Sequence, residues 1–194
     1  MASSYIENIG NGKFKLSSLP IQAQVSPTFG TITQDFNADG NLDLVLVGNF
    51  YGPNQDVVRY DAGSGLVLQG DGKGNFTPLG PVESGLFAND DARGVTALQQ
   101  SEANTLTMIV VNNNAPFQLF QRQYSATNGK LVDFEGVAKY THMILKFNDG
   151  RQRRYECAYG SGYLSQCSGA ILITPQAESV TLFKGAKQIK QINF

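Results

Sequence analysis

Segments of this 194-residue chain recur at a nearly fixed offset, and that recurrence limits the folds open to it. Gly30-Thr31-Ile32-Thr33 stands 64 residues before Gly94-Val95-Thr96-Ala97. With the same offset and no gap, Asp43-Leu44-Val45-Leu46-Val47-Gly48-Asn49 falls on Thr107-Met108-Ile109-Val110-Val111-Asn112-Asn113. A second pair lies at offset 62: Asn8-Ile9-Gly10-Asn11-Gly12-Lys13-Phe14 against Gly70-Asp71-Gly72-Lys73-Gly74-Asn75-Phe76. Each unit is expected to hold several strands. Composition agrees: 21 Gly and 15 Asn imply many tight turns and short strands. No window of twelve or more residues keeps helical spacing without Gly or Pro.

A unit of this size and pattern reads as one blade of a β-propeller. The chain opens inside such a unit, runs through a whole one and covers most of another. Rings of this kind take about 4–8 blades, so two units and a fragment cannot close one. The chain is therefore expected either to be a piece of a longer protein or to cap an open array with its C-terminal part. The fold expected is all-β, with partial propeller-like blades over residues 1–121 and a small antiparallel β-domain over residues 136–194.

Within the first part, residues 42–47 and 105–111 read as buried strands, and residues 66–68 and 76–79 as short strands around a glycine-rich turn. Residues 121–135 read as a polar connection with a short strand at Leu131-Val132. The tail alternates from His142 to Phe147. Asn148-Asp149-Gly150 then marks a hairpin turn, with further turns at Gly160-Ser161-Gly162 and Lys184-Gly185-Ala186. Residues 1–135 carry a net charge of −6 and residues 136–194 a net of +5. That split fits two modules, with either mutual attraction or a basic patch for an acidic partner as its use.

Several classes are excluded or disfavoured. No segment approaches the ~20 apolar residues that cross a bilayer. Met-Ala-Ser-Ser-Tyr is not followed by the apolar stretch of a signal peptide, so none is expected within this chain. One His and no Trp disfavour a His-pair catalyst or a His-rich zinc site.

The chemistry-bearing motif is Asp35-Phe36-Asn37-Ala38-Asp39-Gly40-Asn41-Leu42-Asp43. Oxygen-bearing side chains stand at positions 1, 3, 5 and 9, and Gly stands at 6. Calcium takes six to eight hard oxygen ligands. In a tightly turning loop Asp35, Asn37 and Asp39 can converge, Asn41 can offer its carbonyl, and Asp43 can close the site. An EF-hand needs a bidentate Glu at position 12, and Leu46 stands there, inside a strand. The loop is therefore read as a β-type Ca2+ site with a structural role. Magnesium suits it less, because that ion keeps several waters. At offset 64 the ligand positions become Gln99, Ser101, Ala103 and Thr107, with Asn104 in the place of Gly40, so that copy is not expected to bind. Asn89-Asp90-Asp91 lacks the alternation and reads as a turn.

The Asp35–Asp43 loop, the Phe29-Gly30 pair before it and the Gly-Asp-Gly-Lys-Gly-Asn-Phe turn resemble FG-GAP/VCBS repeats over residues 5–120. That resemblance implies calcium-bearing, integrin-α-like repeats of surface proteins, with Asp35, Asn37, Asp39, Asn41 and Asp43 as metal ligands. The tail resembles the ASPIC/UnbV domain at Asn148-Asp149-Gly150-Arg151-Gln152-Arg153-Arg154 and at Gly160-Ser161-Gly162-Tyr163-Leu164-Ser165-Gln166. That domain often follows such repeats in secreted proteins.

Cys157 and Cys167 flank the Gly160–Gly162 turn, and both a disulfide and two free, partly buried thiols stay open. His142 reads as structural. Arg151, Arg153 and Arg154 lie beside Tyr155, Tyr159 and Tyr163, but with a pI of about 5.8 they read as a solvated hairpin face rather than a nucleic-acid site. Phe50, Tyr51 and Tyr60 follow the calcium-loop strand and are candidate contacts for a partner or glycan. The function expected is a non-enzymatic, calcium-stabilised binding or adhesion module of an exported bacterial protein. Its setting would be extracellular, cell-surface or periplasmic, and its partner a protein or carbohydrate. The alternative is an accessory domain of a surface or secreted enzyme whose catalytic site lies outside this chain. The oligomeric state is left open.

Overall fold

A computed structural model describes residues 2–54, 56–134, 139–158, 160 and 166–194. The turn expected at Gly160-Ser161-Gly162, the tyrosines Tyr159 and Tyr163, and most of the second stretch likened to ASPIC/UnbV lie outside the described residues. The chain is all-β, built of several small antiparallel sheets. It divides into two compact units. The first comprises Met1–Phe36, Asn41–Thr96 and Met108–Phe120; the second comprises Asn37–Gly40, Ala97–Thr107 and Gln121–Phe194. Among the described residues no helix is long and apolar enough to cross a membrane.

In the first unit β1 (Ser4–Asn8) and β2 (Phe14–Ser18) form a two-stranded hairpin. A 3-10 turn at Ile21–Gln24 comes next. Then β3 (Gly30–Gln34), β4 (Asp43–Val47), β5 (Leu66–Gly70) and β6 (Phe76–Leu79) form an antiparallel meander in sequence order. The pairs Leu44↔Leu68 and Leu46↔Leu66 set one apolar face, and Ile32↔Val45 and Val45↔Val67 the other. Ala23, from the 3-10 turn, packs with Leu46 and Leu68 on the first face, flanked by Leu19, Leu44, Leu66 and Phe76. This explains why β4 reads as a continuous apolar run: both of its faces are covered. A single turn, α1 (Pro81–Ser84), comes after β6.

The β5–β6 turn shows how side chains set these hairpins. The Asp71 carboxylate accepts hydrogen bonds from the Asn75 amide (2.7 Å) and from the backbone N–H groups of Lys73 (2.7 Å) and Asn75 (3.1 Å). Those bonds, the Asn75 amide first, hold its carboxyl below the ordinary 3.8. A depressed folded value adds stability above the unfolded value, and that stability is lost as pH falls through the folded one. Thermal melts of the wild type and Asp71→Asn between about pH 6 and pH 3 should therefore show a gap in Tm that closes below about pH 4. A gap that stays constant with pH would refute the turn assignment.

Three longer strands come after α1: β7 (Ala92–Gln100), β8 (Thr105–Asn112) and β9 (Gln118–Gln123), ordered β7-β8-β9. In the second unit β10 (Lys130–Val132) pairs with β13 (Ile171–Ile173). A four-stranded antiparallel sheet orders β12 (Gln152–Glu156), β11 (His142–Phe147), β14 (Ala177–Lys184) and β15 (Lys187–Asn193). Its turns at Asn148–Gly150 and Lys184–Ala186 stand where the sequence places them. Both need backbone in the left-handed region, supplied by Gly150 (φ +85°) and Gly185 (φ +60°). Met143, Leu145 and Phe147 pack with Val180, Leu182, Ile171, Ile173 and Phe134 in its core.

The expectation of propeller-like blades is corrected. The described strands form five separate open sheets of two, two, four, four and three strands, and no sheet is closed or curled. The physical reason lies in how far the repeat extends. The offset of 64 relates the β3–β4 pair to the β7–β8 pair. Beyond those pairs the two units diverge: β4 leads into the β5–β6 hairpin, whereas β8 leads into the single strand β9. A run of equal sheets is therefore not built.

Candidate functional site

The Asp35–Asp43 loop joins β3 to β4, whose register closes at Gln34↔Asp43. Asp35 and Asp43 are 2% and 1% exposed. Asp43 Oδ2 accepts the Phe36 N–H (2.9 Å), and Oδ1 accepts the Gly70 N–H (2.9 Å). The second bond depends on close backbone approach. A Cβ on Gly70 would lie 2.1 Å from the Leu42 carbonyl oxygen, so only glycine fits there. Asn37 Nδ2 donates to Asp39 Oδ2 (2.9 Å), and the Asp39 N–H donates to Asn37 Oδ1 (3.0 Å).

The loop reverses through two left-handed residues, Ala38 (φ +65°) and Gly40 (φ +84°). Glycine adopts this region freely. Alanine does so at a cost of about 1–3 kcal/mol, a form of strain that clusters at functional loops. Within the second unit, Arg153 Nη2 donates to the Gly40 carbonyl (2.6 Å). Donor chemistry suits a hard cation: carboxylates, an amide oxygen and backbone carbonyls. Their positions are a different matter. Among the described residues no three Asp, Glu, His or Cys side chains gather where they could hold a metal ion.

The offset-64 copy is a short turn between β7 and β8. Asn104, in the place of Gly40, also takes the left-handed region (φ +50°). Its amide donates to the carbonyls of Tyr124 and Gly129 (2.9 Å each), and its Oδ1 accepts the Leu131 N–H (2.7 Å). The equivalent position therefore anchors the start of β10.

Phe50 and Tyr60 face each other in an isolated bridge, with both N–H···O distances 2.8 Å. The Arg93 guanidinium lies 4.5 Å from the Phe29 ring centre and 5.0 Å from that of Phe50. Arg59 sits 4.7 Å over Tyr51, whose hydroxyl donates to the Asn89 carbonyl (2.7 Å). Two arginines that sequence reasoning did not connect to these residues thus lie on the rings of Phe50 and Tyr51, and Tyr60 meets Phe50 through the backbone.

Sequence reasoning also missed what lies beneath. The Asn89-Asp90-Asp91 stretch is more than a solvated turn, because Asp91 is buried. Its Oδ2 accepts hydrogen bonds from Arg93 Nη2 (2.9 Å) and Asn113 Nδ2 (3.0 Å). Its Oδ1 lies 2.8 Å from Arg93 Nη2 as an ion-pair contact without hydrogen-bond alignment. Asn49 is fully buried. Its amide donates to the carbonyls of Gly63, Asn89 and Asp90 (2.8, 3.1 and 3.0 Å). Its Oδ1 accepts the Ser26 hydroxyl (2.7 Å) and the Gly63 N–H (2.9 Å). The only sequence signal was an Asn two residues after an apolar strand.

The remaining candidates are structural or surface groups. Arg151 and Arg154 pair with Asp149 and Glu156. His142 is buried and stacks on Phe183 with ring centres 4.7 Å apart. Cys157 and Cys167 are both half-buried and are not joined by a disulfide, so the disulfide alternative is not taken. Burial pushes the Cys157 thiol above its ordinary value, which keeps it protonated near neutral pH.

No family model matches this chain, and no curated protein matches it.

Proposed function

We propose that this chain is a non-enzymatic binding module of an exported protein, with its Asp35–Asp43 loop stabilised by a calcium ion. The observation that carries the reading is the burial of two carboxylates, Asp35 and Asp43, at the two ends of one nine-residue loop. Buried carboxylates are costly without strong partners. Backbone N–H groups offset that cost at Asp43, and a carboxylate oxygen accepts more than one partner, so a cation can share it. The left-handed Ala38 adds support, as does the likeness of these nine residues to FG-GAP/VCBS loops. Ion binding requires the loop to draw Asp35, Asp39 and Asp43 together, with Asp39 giving up its bond from Asn37 and with Asn37 Oδ1 and the Asn41 carbonyl completing the oxygen set. An extracellular module of this kind would bind at about 10⁻⁴–10⁻³ M. The partner, a protein or carbohydrate, would meet the aromatic residues Phe50, Tyr51 and Tyr60.

The test is a thermal melt in excess calcium and in chelator, with Asp39→Ala as the control. Calcium at about 100 times its dissociation constant adds ~2.7 kcal/mol to the native state. For a chain this size that raises Tm by roughly 5–10 °C. The rise should vanish in Asp39→Ala, whose exposed side chain leaves the apo fold intact. No rise in the wild type would sink the reading.

A further inference from the structure

The β1–β2 hairpin reproduces the β5–β6 hairpin in register, not only in sequence. At offset 62 the pairs Tyr5↔Ser17, Ile6↔Leu16, Glu7↔Lys15 and Asn8↔Phe14 fall on Val67↔Leu79, Leu68↔Pro78, Gln69↔Thr77 and Gly70↔Phe76. The turn bond repeats as well: Ile9 N–H to the Lys13 carbonyl (3.0 Å) matches Asp71 N–H to the Asn75 carbonyl (3.2 Å). Gly10 and Gly12 take positive φ, as do Gly72 and Gly74.

The surroundings differ. The other edge of β5 is paired with β4, and Leu68 is 0% exposed. No strand among the described residues pairs with the other edge of β1. Ile6, which matches Leu68, is 61% exposed, and its neighbours Leu16 and Phe14 are 68% and 64% exposed. The opposite face of the hairpin is in use, with Tyr5 edge-on against Phe76 at 5.7 Å. The exposed face is thus one-sided: an unpaired edge beside three large apolar side chains. Such an edge is a template for another strand.

We propose that this edge and face dock an extended strand of alternating apolar residues from a partner protein, as β4 docks on β5. The occupant's chemistry is dictated by the established pairing. Leu44 stands opposite Leu68 and Leu46 opposite Leu66, so the strand must place apolar residues opposite Ile6 and Ser4. The first supplies the contact Ile6 lacks, and the second covers the small Ser4. This proposal stands apart from the calcium reading, since the docking face includes none of its residues.

The probe is a peptide with the sequence of residues 41–48, Asn-Leu-Asp-Leu-Val-Leu-Val-Gly, carrying terminal lysines for solubility. It is titrated into the full chain while amide exchange is followed by NMR. Amides of β1 should exchange about tenfold more slowly near saturation, a ratio that a modest strand pairing supplies. Amides of β5 should not change. Ile6→Asp and Leu16→Asp, both at exposed positions, should keep the melting temperature and lose the protection. Unchanged β1 exchange at about 1 mM peptide overturns the proposal. So does sedimentation of the chain alone as a dimer that Ile6→Asp dissociates, because the occupant is then a second copy.

Discussion

Asn49→Ala is expected to lower stability by about 3 kcal/mol, or roughly 6–12 °C in Tm, although Asn49 reaches no solvent. The side chain satisfies three carbonyls, one N–H and one hydroxyl, drawn from Ser26, Gly63, Asn89 and Asp90. Alanine leaves those groups buried and short of partners. Each orphaned group costs about 1–3 kcal/mol, with partial relief where neighbours or water reach it. Asn49→Asp should be worse still, because it sets a buried negative charge against three carbonyl oxygens. Urea unfolding followed by circular dichroism measures both. A change in either variant below about 0.5 kcal/mol, the ordinary range for surface substitutions, would refute the hub assignment.

Asp43→Ala is expected to cost about 2–4 kcal/mol, because two backbone N–H groups lose a charged acceptor at one stroke. The bonds from Phe36 and Gly70 tie the start of the loop and the end of β5 to the same carboxylate. Asp43→Asn should recover little. One of its two positions becomes an NH2 group that faces an N–H donor. The comparison with Asp39→Ala separates two roles. Asp43 is needed for the fold with or without an ion, whereas Asp39 is exposed and should matter only in calcium. Equal losses in chelator for Asp39→Ala and Asp43→Ala would contradict that division.

Local features of the fold were legible in the sequence. Gly150 and Gly185 mark turns because L-residues avoid positive φ, and the alternation on either side specifies strands of period two. The apolar run of β4 announced burial on both faces. The Asp35–Asp43 pattern was legible as a tight acidic loop, but its hydrogen bonds were not. Nothing in the spacing reveals that Asp43 is capped by Gly70, or that the Asn37 amide holds Asp39.

The propeller reading failed for a related reason. A repeat in sequence reports that hairpins are alike, as β1–β2 and β5–β6 are, and does not by itself build the same sheet around each. Pairing is chosen by free energy summed over segments far apart in the chain. β10 finds β13 across some forty residues, and β11 takes β14 as its second neighbour. Burial of polar groups is decided in the same way. Asn49 and Asn113 occupy equivalent repeat positions, yet only Asn49 is fully enclosed, by carbonyls from residues 63, 89 and 90. Backbone conformation and strand period, set by each residue and its immediate neighbours, were therefore written in the sequence. Strand partners and the identity of the buried polar side chains were decided by tertiary structure, because desolvation and pairing depend on what the distant chain brings alongside.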